Sequence, residues 1–360
     1  MIKVLTVLGA RPQFIKAAAV SRAFAAHSQT DERIVHTGQH HDAGMSDVFF
    51  AELGIPAPAH HLGVAGGGHG DMTGRMMIAL EAVVAAETPD WVLVYGDTNS
   101  TLAGALVAAK MHVPVAHVEA GLRSFNRRMP EEVNRVLTDH CADLLFTPTD
   151  AAAGHLRAEG IDPARIVPCG DVMFDAARIF AKQAQAQVGG SARSGHVLAT
   201  VHRQENTDSP QRLAAILGGL ALVAETLPVI LPLHPRTRAR IDAAGLASLL
   251  GAVEIVEPLG YLEMIALQRG AVAIATDSGG VQKEAFFHGV PCVTLRDETE
   301  WTELVDAGWN RLISPADAAT VAGAILAARG TVGQPIRPYG DGNASNIIVE
   351  RLARRAGTEG

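Results

Sequence analysis

The sequence predicts an α/β fold made of two Rossmann-like domains in tandem, and three observations carry that prediction. Short, β-rich apolar runs alternate with Ala-rich helical segments along the whole chain. The alternation starts afresh near Val197, and 360 residues are too many for one simple core. Polar residues of the kind that do chemistry follow the ends of the apolar runs in both halves, as the carboxyl edge of a doubly wound sheet requires. Two such domains put a cleft between them.

In chain order, Val4–Leu8 is the first strand, and Gly9-Ala10-Arg11-Pro12 leads into a helix with proline in its first turn. Ile34–Thr37 is the second strand, ending at Gly38-Gln39-His40-His41. Gly63–Gly70 reads as a glycine-rich loop and Asp71–Ala86 as a helix. Trp91–Tyr95 is a strand that ends at Gly96-Asp97-Thr98-Asn99, followed by the helix Ser100–Met111. Val113–Val118 is the next strand, ending at Glu119-Ala120-Gly121, and Leu144–Phe146 is another. The linker falls between Val167 and Ser194, so that residues 1–168 make the first domain and 169–343 the second. The second domain carries strands at Val197–Val201, Val229–Leu233, Val253–Val256, Ala271–Ala275 and Cys292–Thr294. Asp341-Gly342-Asn343 breaks the chain before a last amphipathic helix, Ala344–Ala353, within the closing segment 344–360.

A net charge of −8 argues against a nucleic-acid partner, which needs a basic surface. Cys141, Cys169 and Cys292 are scattered without metal spacing, which fits a reducing cytoplasm. Met1 leads straight into a strand with no room for a signal peptide, and the longest apolar stretch, Leu213–Leu233, is broken by Glu225, Pro228 and Pro232, so no membrane contact is expected. His40-His41, His60-His61 and His69 sit in loops without a metal triad, and no metal is expected.

Arg11, Gln39, Asp97 and Glu119 directly follow strands of the first half, and His202, His234 and Asp277 follow strands of the second. Strand, crossover helix and strand place Asp97 and Glu119 at one sheet edge, where two carboxylates serve general acid/base chemistry or a metal. Capping of the following helix is the plain alternative for Asp97-Thr98-Asn99, and a structural pair with Arg123 is the alternative for Glu119. His234-Pro235-Arg236 can equally be a simple strand-end turn. In Thr276-Asp277-Ser278-Gly279-Gly280-Val281-Gln282-Lys283-Glu284, a buried strand gives way to a helix N-capped by Ser278. Two glycines at an electropositive helix start make an anion site, most often for phosphate, and Glu284 lies further along as an acceptor for ribose hydroxyls. The G-x-G-x-x-G dinucleotide fingerprint and the Walker pattern are both absent, so no cofactor is expected.

Gly9-Ala10-Arg11-Pro12 with Lys16, Gly96-Asp97-Thr98, His117 through Arg123, Pro130-Glu131-Glu132 with Asn134-Arg135, His202 through Asn206 and Thr276 through Glu284 follow one another in the order of a known family. Together they resemble the non-hydrolysing UDP-N-acetylglucosamine 2-epimerases, essentially from end to end. The resemblance implies a glycosyltransferase-B architecture, a last helix packing back on the first domain, and a homodimer. It implies that Arg11, Lys16, His202, Leu259, Met264, Ser278, Gly279, Gly280 and Glu284 hold UDP. Asp97, Glu119 and Glu131 become the acid/base carboxylates, and His202 assists departure of UDP. The implied reaction converts a UDP-linked N-acetylhexosamine, UDP-GlcNAc to UDP-ManNAc, by eliminating UDP to a glycal and returning it with inverted C2, in surface polysaccharide synthesis and without a nicotinamide; UDP-2,3-diacetamido-2,3-dideoxyglucuronate is the alternative substrate. A hydrolysing 2-epimerase and a glycosyltransferase are the competing activities.

Three features, Gly260-Tyr261-Leu262-Glu263-Met264 and two departures from many members, resemble the branch that acts on UDP-2,3-diacetamido-2,3-dideoxyglucuronate. The segment Ser124–Met129 is shorter than in many members, and Trp301 stands where many have arginine. Arg127 or Arg128 would then face a C6 carboxylate, with a solvated basic loop as the alternative. The family's allosteric UDP-GlcNAc site is matched in part by Gln39, His40 and Arg75, while Asp42–Met45 depart from it.

Overall fold

A computed structural model describes residues 1–39, 50–188 and 193–354; His40, His41 and Asp42–Met45 lie outside the described residues. The chain folds as two compact units, the first from Met1–Ala176 together with the chain from Arg337 on, the second Ala177–Ile336. The passage between units thus lies inside the helix Val172–Val188 and before Arg337, not at 168/169 and 343/344. Hydrogen bonds explain the shift. The Asp171 N–H donates to the Tyr339 carbonyl at 3.1 Å, and the Asp175 carboxylate accepts the N–H groups of Ala344 and Ser345 at 3.2 and 2.7 Å. The helix Ala344–Ala353 packs on the helix Arg11–Ala26.

The first unit holds a seven-stranded sheet of β1 (Ile2–Leu8), β2 (Thr30–His36), β3 (His60–His61), β4 (Trp91–Tyr95), β5 (Val115–Val118), β6 (Leu144–Thr147) and β7 (Ile166–Pro168). Its spatial order is β3-β2-β1-β4-β5-β6-β7. The second unit holds β8 (His196–Thr200), β9 (Val229–Pro232), β10 (Glu254–Val256), β11 (Ala271–Thr276), β12 (Cys292–Leu295) and β13 (Asn310–Ile313), in the order β10-β9-β8-β11-β12-β13. Every pairing is parallel. In both sheets the order of strand addition reverses beside the first strand, between β1 and β4 and between β8 and β11. That is where doubly wound sheets open a crevice for ligands. His60-His61, expected in a loop, pair with Val35-His36 as edge strand β3, and His60 Nε2 lies 2.7 Å from the Glu87 carboxylate.

Each sheet is buried on both faces, as parallel sheets require. In the first unit Leu5, Val7, Val92, Val94 and Val115 pack under Met76, Leu80 and Val84 of the helix His69–Glu87 and Ala103, Ala105 and Val107 of the helix Asn99–Lys110. In the second, Val197, Ala199, Leu231 and Val293 pack under the helices Pro210–Ala224 and Ala318–Ala328.

One acid in the first unit is set against this background. Thr6 Oγ1 donates to Glu32 Oε1 at 2.7 Å, the Ser21 hydroxyl also favours the charged carboxylate, and the Tyr95 hydroxyl finds no partner among the described residues. Burial pushes Glu32 up to about 7. Because the folded value is raised, the contribution to stability is intact below the ordinary carboxylate range and is lost as pH rises through about 7. Glu32→Gln is therefore expected to stabilise the protein by about 2 kcal/mol at pH 8 and to change little near pH 4.5. Thermal melts at the two pH values check this, and equal shifts at both would contradict it.

Candidate active site

At the switch point of the first sheet, β1 turns into the helix Arg11–Ala26 through Gly9, where any side chain would run into the hydroxyls of Thr37 and Ser100. Gln13, which the sequence did not single out, organises this corner. Its Oε1 accepts the N–H groups of Gly9 and Ala10 at 2.8 and 3.0 Å, and its Nε2 donates to the Tyr95 carbonyl at 2.9 Å. Arg11 thereby stands at the start of the helix, with Lys16 further along it.

The register of β4 and β5 pairs Tyr95 with Val118, so the turns that follow both strands are neighbours. Asp97 ion-pairs with Arg135, and Asn134 Nδ2 donates to the Asp97 carbonyl at 2.9 Å. Glu119 ion-pairs with Lys16, not with Arg123, which instead binds Asp139 and Glu159. Within Asp97-Thr98-Asn99 the capping role belongs to Thr98, whose hydroxyl accepts the Thr101 N–H at 3.3 Å, which leaves the Asp97 side chain to Arg135. Glu119 has φ of +71°, a left-handed conformation uncommon outside glycine, at the point where its carboxylate meets the lysine.

The helix Pro130–Cys141 supplies the remaining groups. Glu131 is exposed in its first turn, whereas Glu132 is buried. Glu132 accepts the N–H groups of Ser124 and Phe125, the Ser124 hydroxyl and Arg135 Nη1, all at 2.9 Å. Burial works to raise this acid, but those donors outweigh it and hold it below the usual carboxylate range. Burial likewise opposes the charge of Arg135, and Asp97 and Glu132 overcome it and push the guanidinium up. The loop bearing Arg127 and Arg128 is thus tied through Glu132 and Arg135 to Asp97.

The second unit repeats the plan at its own switch point. Ser278 caps the helix Gly279–Phe287, and Gly280 is exposed at its start, with backbone N–H groups open to an anion. Trp301 Nε1 donates to the Gly279 carbonyl at 2.9 Å, and the Lys283 ammonium lies 4.3 Å from the centre of the Trp301 ring. Gln268 Nε2 donates to Glu284 at 2.6 Å, orienting that carboxylate.

Asp277 is wholly buried beneath this turn. It accepts the N–H groups of His202 and Arg203 at 3.1 and 3.0 Å and Asn206 Nδ2 at 3.1 Å, and His202 Nδ1 lies 3.3 Å from it. Half of the His202 side chain is open to solvent; partial burial pulls the ring below the ordinary imidazole range against the opposing effect of Asp277. His234, by contrast, caps the helix Pro235–Ala243 by accepting the Arg236 N–H at 3.2 Å. Leu259 and Met264 are partly buried, Met264 against Leu198, Ile274 and Ala285. Among the described residues no group of three or more His, Cys, Asp or Glu is placed to hold a metal, and no helix is long and apolar enough to cross a membrane.

Two Rossmann-order sheets, one presenting carboxylates and the other a glycine-rich helix start, define a tandem α/β enzyme of glycosyltransferase-B type. The family model described as UDP-N-acetylglucosamine 2-epimerase matches residues 22–353, and the chain belongs to that family. It is 53% identical over 356 residues to the UDP-2,3-diacetamido-2,3-dideoxy-D-glucuronate 2-epimerase of Pseudomonas aeruginosa, covering 98% of this chain and all of that one. It is 44% identical over 324 residues to the UDP-N-acetylglucosamine 2-epimerase of Methanocaldococcus jannaschii, covering 87% of this chain and 88% of that one. The crystal structure of the Methanocaldococcus jannaschii enzyme in complex with UDP-GlcNAc and UDP superposes with a TM-score of 0.88 at 41% identity, covering 98% of this chain and 99% of that one. The Neisseria meningitidis enzyme bound to UDP-GlcNAc gives 0.87 at 32% identity, covering the same shares.

Proposed function

We propose that this epimerase inverts C2 of a UDP-linked acetamido sugar, and that the sugar is a 2,3-diacetamido-glucuronate. Asp97, Glu119 and Glu131 carry protons at C2. One carboxylate removes the C2 hydrogen as the C1–O bond to UDP breaks and the C1–C2 double bond of a glycal forms. Another returns a proton to C2 from the opposite face while UDP re-adds at C1. No carbonyl adjoins C2, so the departure of UDP is what makes the proton removable, and cations at the diphosphate lower that barrier. Arg11, Lys16 and His202 supply positive charge or hydrogen bonds to the diphosphate, and the Ser278–Gly280 turn supplies its backbone N–H groups. Glu284 holds the ribose hydroxyls, with Leu259 and Met264 beside the nucleoside.

The observation that carries the reading is the pairing of Asp97 with Arg135 and Glu119 with Lys16 at adjacent strand ends, two carboxylates each matched by its own cation. The choice of sugar rests on the 53% identity to the Pseudomonas aeruginosa enzyme and on the loop of Arg127 and Arg128, where a guanidinium suits a C6 carboxylate. UDP-GlcNAc is the second reading, favoured by the 44% identity to the Methanocaldococcus jannaschii enzyme. Incubation with each UDP-sugar in D2O, followed by NMR, decides between them. Deuterium is expected at C2 of intact UDP-2,3-diacetamido-glucuronate. Exchange only into UDP-GlcNAc would reverse the choice, and stoichiometric free UDP would make the enzyme a hydrolase.

A further inference from the structure

Between the two carboxylate turns of the first unit lies a buried histidine with no part in the chemistry above. His117, on β5, is wholly inaccessible, as is Asp139 on the helix Pro130–Cys141. His117 Nδ1 lies 2.7 Å from Asp139 Oδ1, and Nε2 lies 2.7 Å from the Gly96 carbonyl oxygen. The other Asp139 oxygen accepts the Gly121 N–H at 3.1 Å and Arg123 Nη1 at 2.7 Å. Arg123 continues to Glu159 through two further bonds of 2.7 Å.

The donor count decides what the ring carries. A carbonyl oxygen can only accept, and Asp139, fully engaged as an acceptor by an arginine and a backbone N–H, can only accept as well. Both ring nitrogens face acceptors, so both must donate, and a ring that donates twice is an imidazolium. The local charges agree: Asp139 and Glu159 are matched by Arg123 and a charged His117, whereas a neutral ring would leave a lone pair against an oxygen at 2.7 Å in a site without water access. His140, at 3.4 Å from Glu159, and His155, whose Nδ1 lies 3.0 Å from the Gly121 carbonyl, also flank this cluster. On the far side of Gly96, a Cβ would lie 3.3 Å from both the Glu119 carboxylate and the Lys16 ammonium, so the cluster and the Glu119–Lys16 pair sandwich that one residue.

We propose that His117 is a positioning residue, a buried imidazolium that holds the Asp97 turn through the Gly96 carbonyl and the Glu119–Gly121 turn through Asp139. One side chain thereby sets the two carboxylates against each other. The turns need such a brace: Gly96, Glu119 and Gly121 all have positive φ, of +64°, +71° and +80°. Anchoring the Gly96 carbonyl inward turns the trans peptide so that the Asp97 N–H points away from the ring, which orients Asp97. The inference rests on the assignment of Asp97 and Glu119 as the acid/base groups.

Two measurements test it. In the intact wild-type protein, nitrogen-15 NMR of labelled histidine at pH 8 is expected to show one ring with both nitrogens protonated, missing from the His117→Gln spectrum. A wild-type spectrum in which every histidine has an unprotonated ring nitrogen overturns the proposal, whether or not the variant folds. His117→Gln is expected to lower turnover of the deuterium-incorporating UDP-sugar by about 100-fold, the effect of displacing catalytic groups by roughly 1 Å. KM and the affinity for UDP alone, whose proposed contacts at His202, Ser278–Gly280 and Glu284 are remote from the substituted ring in the sequence and lie in the other unit, should stay within about twofold of wild type, a split that general loss of folding does not produce. A folded His117→Gln with wild-type turnover overturns the brace if Asp97→Asn is inactive in the same assay. If Asp97→Asn is also fully active, the failure lies in the proposed acid/base assignment.

Discussion

Asp97→Asn is expected to abolish epimerisation to within about a thousandth of the wild-type rate while leaving UDP affinity unchanged, since a positioned general acid or base contributes roughly 10²–10⁴-fold. The substitution keeps the size of the side chain and its acceptor toward Arg135, so the turn and its Asn134 contact survive. What it removes is the ability to take a proton. Two readouts follow: loss of deuterium incorporation at C2, and an unaltered UDP titration because the Ser278–Gly280 turn is untouched. Substantial turnover in this variant would remove Asp97 from the catalytic set and leave Glu119 and Glu131 to carry the proton transfers.

The second large effect is expected at a residue that never meets the substrate in this reading. Asp277→Ala should destabilise the protein by about 4 kcal/mol, because the His202 and Arg203 N–H groups and the Asn206 amide lose their shared buried acceptor. Asn206 also donates to the Leu295 carbonyl at 3.0 Å, so Asp277 links the ends of β8, β11 and β12. Without it His202 and the helix start at Ser278 are no longer held in register, and UDP affinity should fall at least about tenfold. Urea unfolding and calorimetric titration with UDP measure the two effects. An unchanged unfolding midpoint would mean that water satisfies the orphaned donors, and unchanged UDP affinity would separate Asp277 from the nucleotide site.

Much of the placement of the candidate residues was legible in the sequence. Asp97 and Glu119 could be placed at one edge because a strand, a helix and a strand leave no other arrangement in a parallel sheet. Ser278 could be named as a cap because capping is read from the residue and the helix that follows it. The partners were not legible. Arg123 stands close to Glu119 in sequence and invited that pair, yet Lys16 reaches Glu119 because only β4 separates β1, which leads into the first helix, from β5, which ends at Glu119. Glu131 and Glu132 are adjacent acids with opposite fates, one exposed and one buried under four donors, which no local pattern distinguishes.

The sequence by itself determined the alternation of strands and helices, the tandem of two doubly wound units, the strand ends where the candidate polar residues gather, and the family. These follow from periodicity, caps and motif order, which are local properties of the chain. Only the tertiary structure decided which charges neutralise one another, which acid is buried, and that Asp277 and His117 lie buried with their hydrogen bonds to the turns of the candidate site. It also decided the short edge strands β3, β7 and β13, which are too brief to show a period and exist only because a neighbour offers its edge. The physical reason is the same in each case. A pairing energy belongs to two residues, and the distance between them is set by sheet order and packing, not by their separation along the chain.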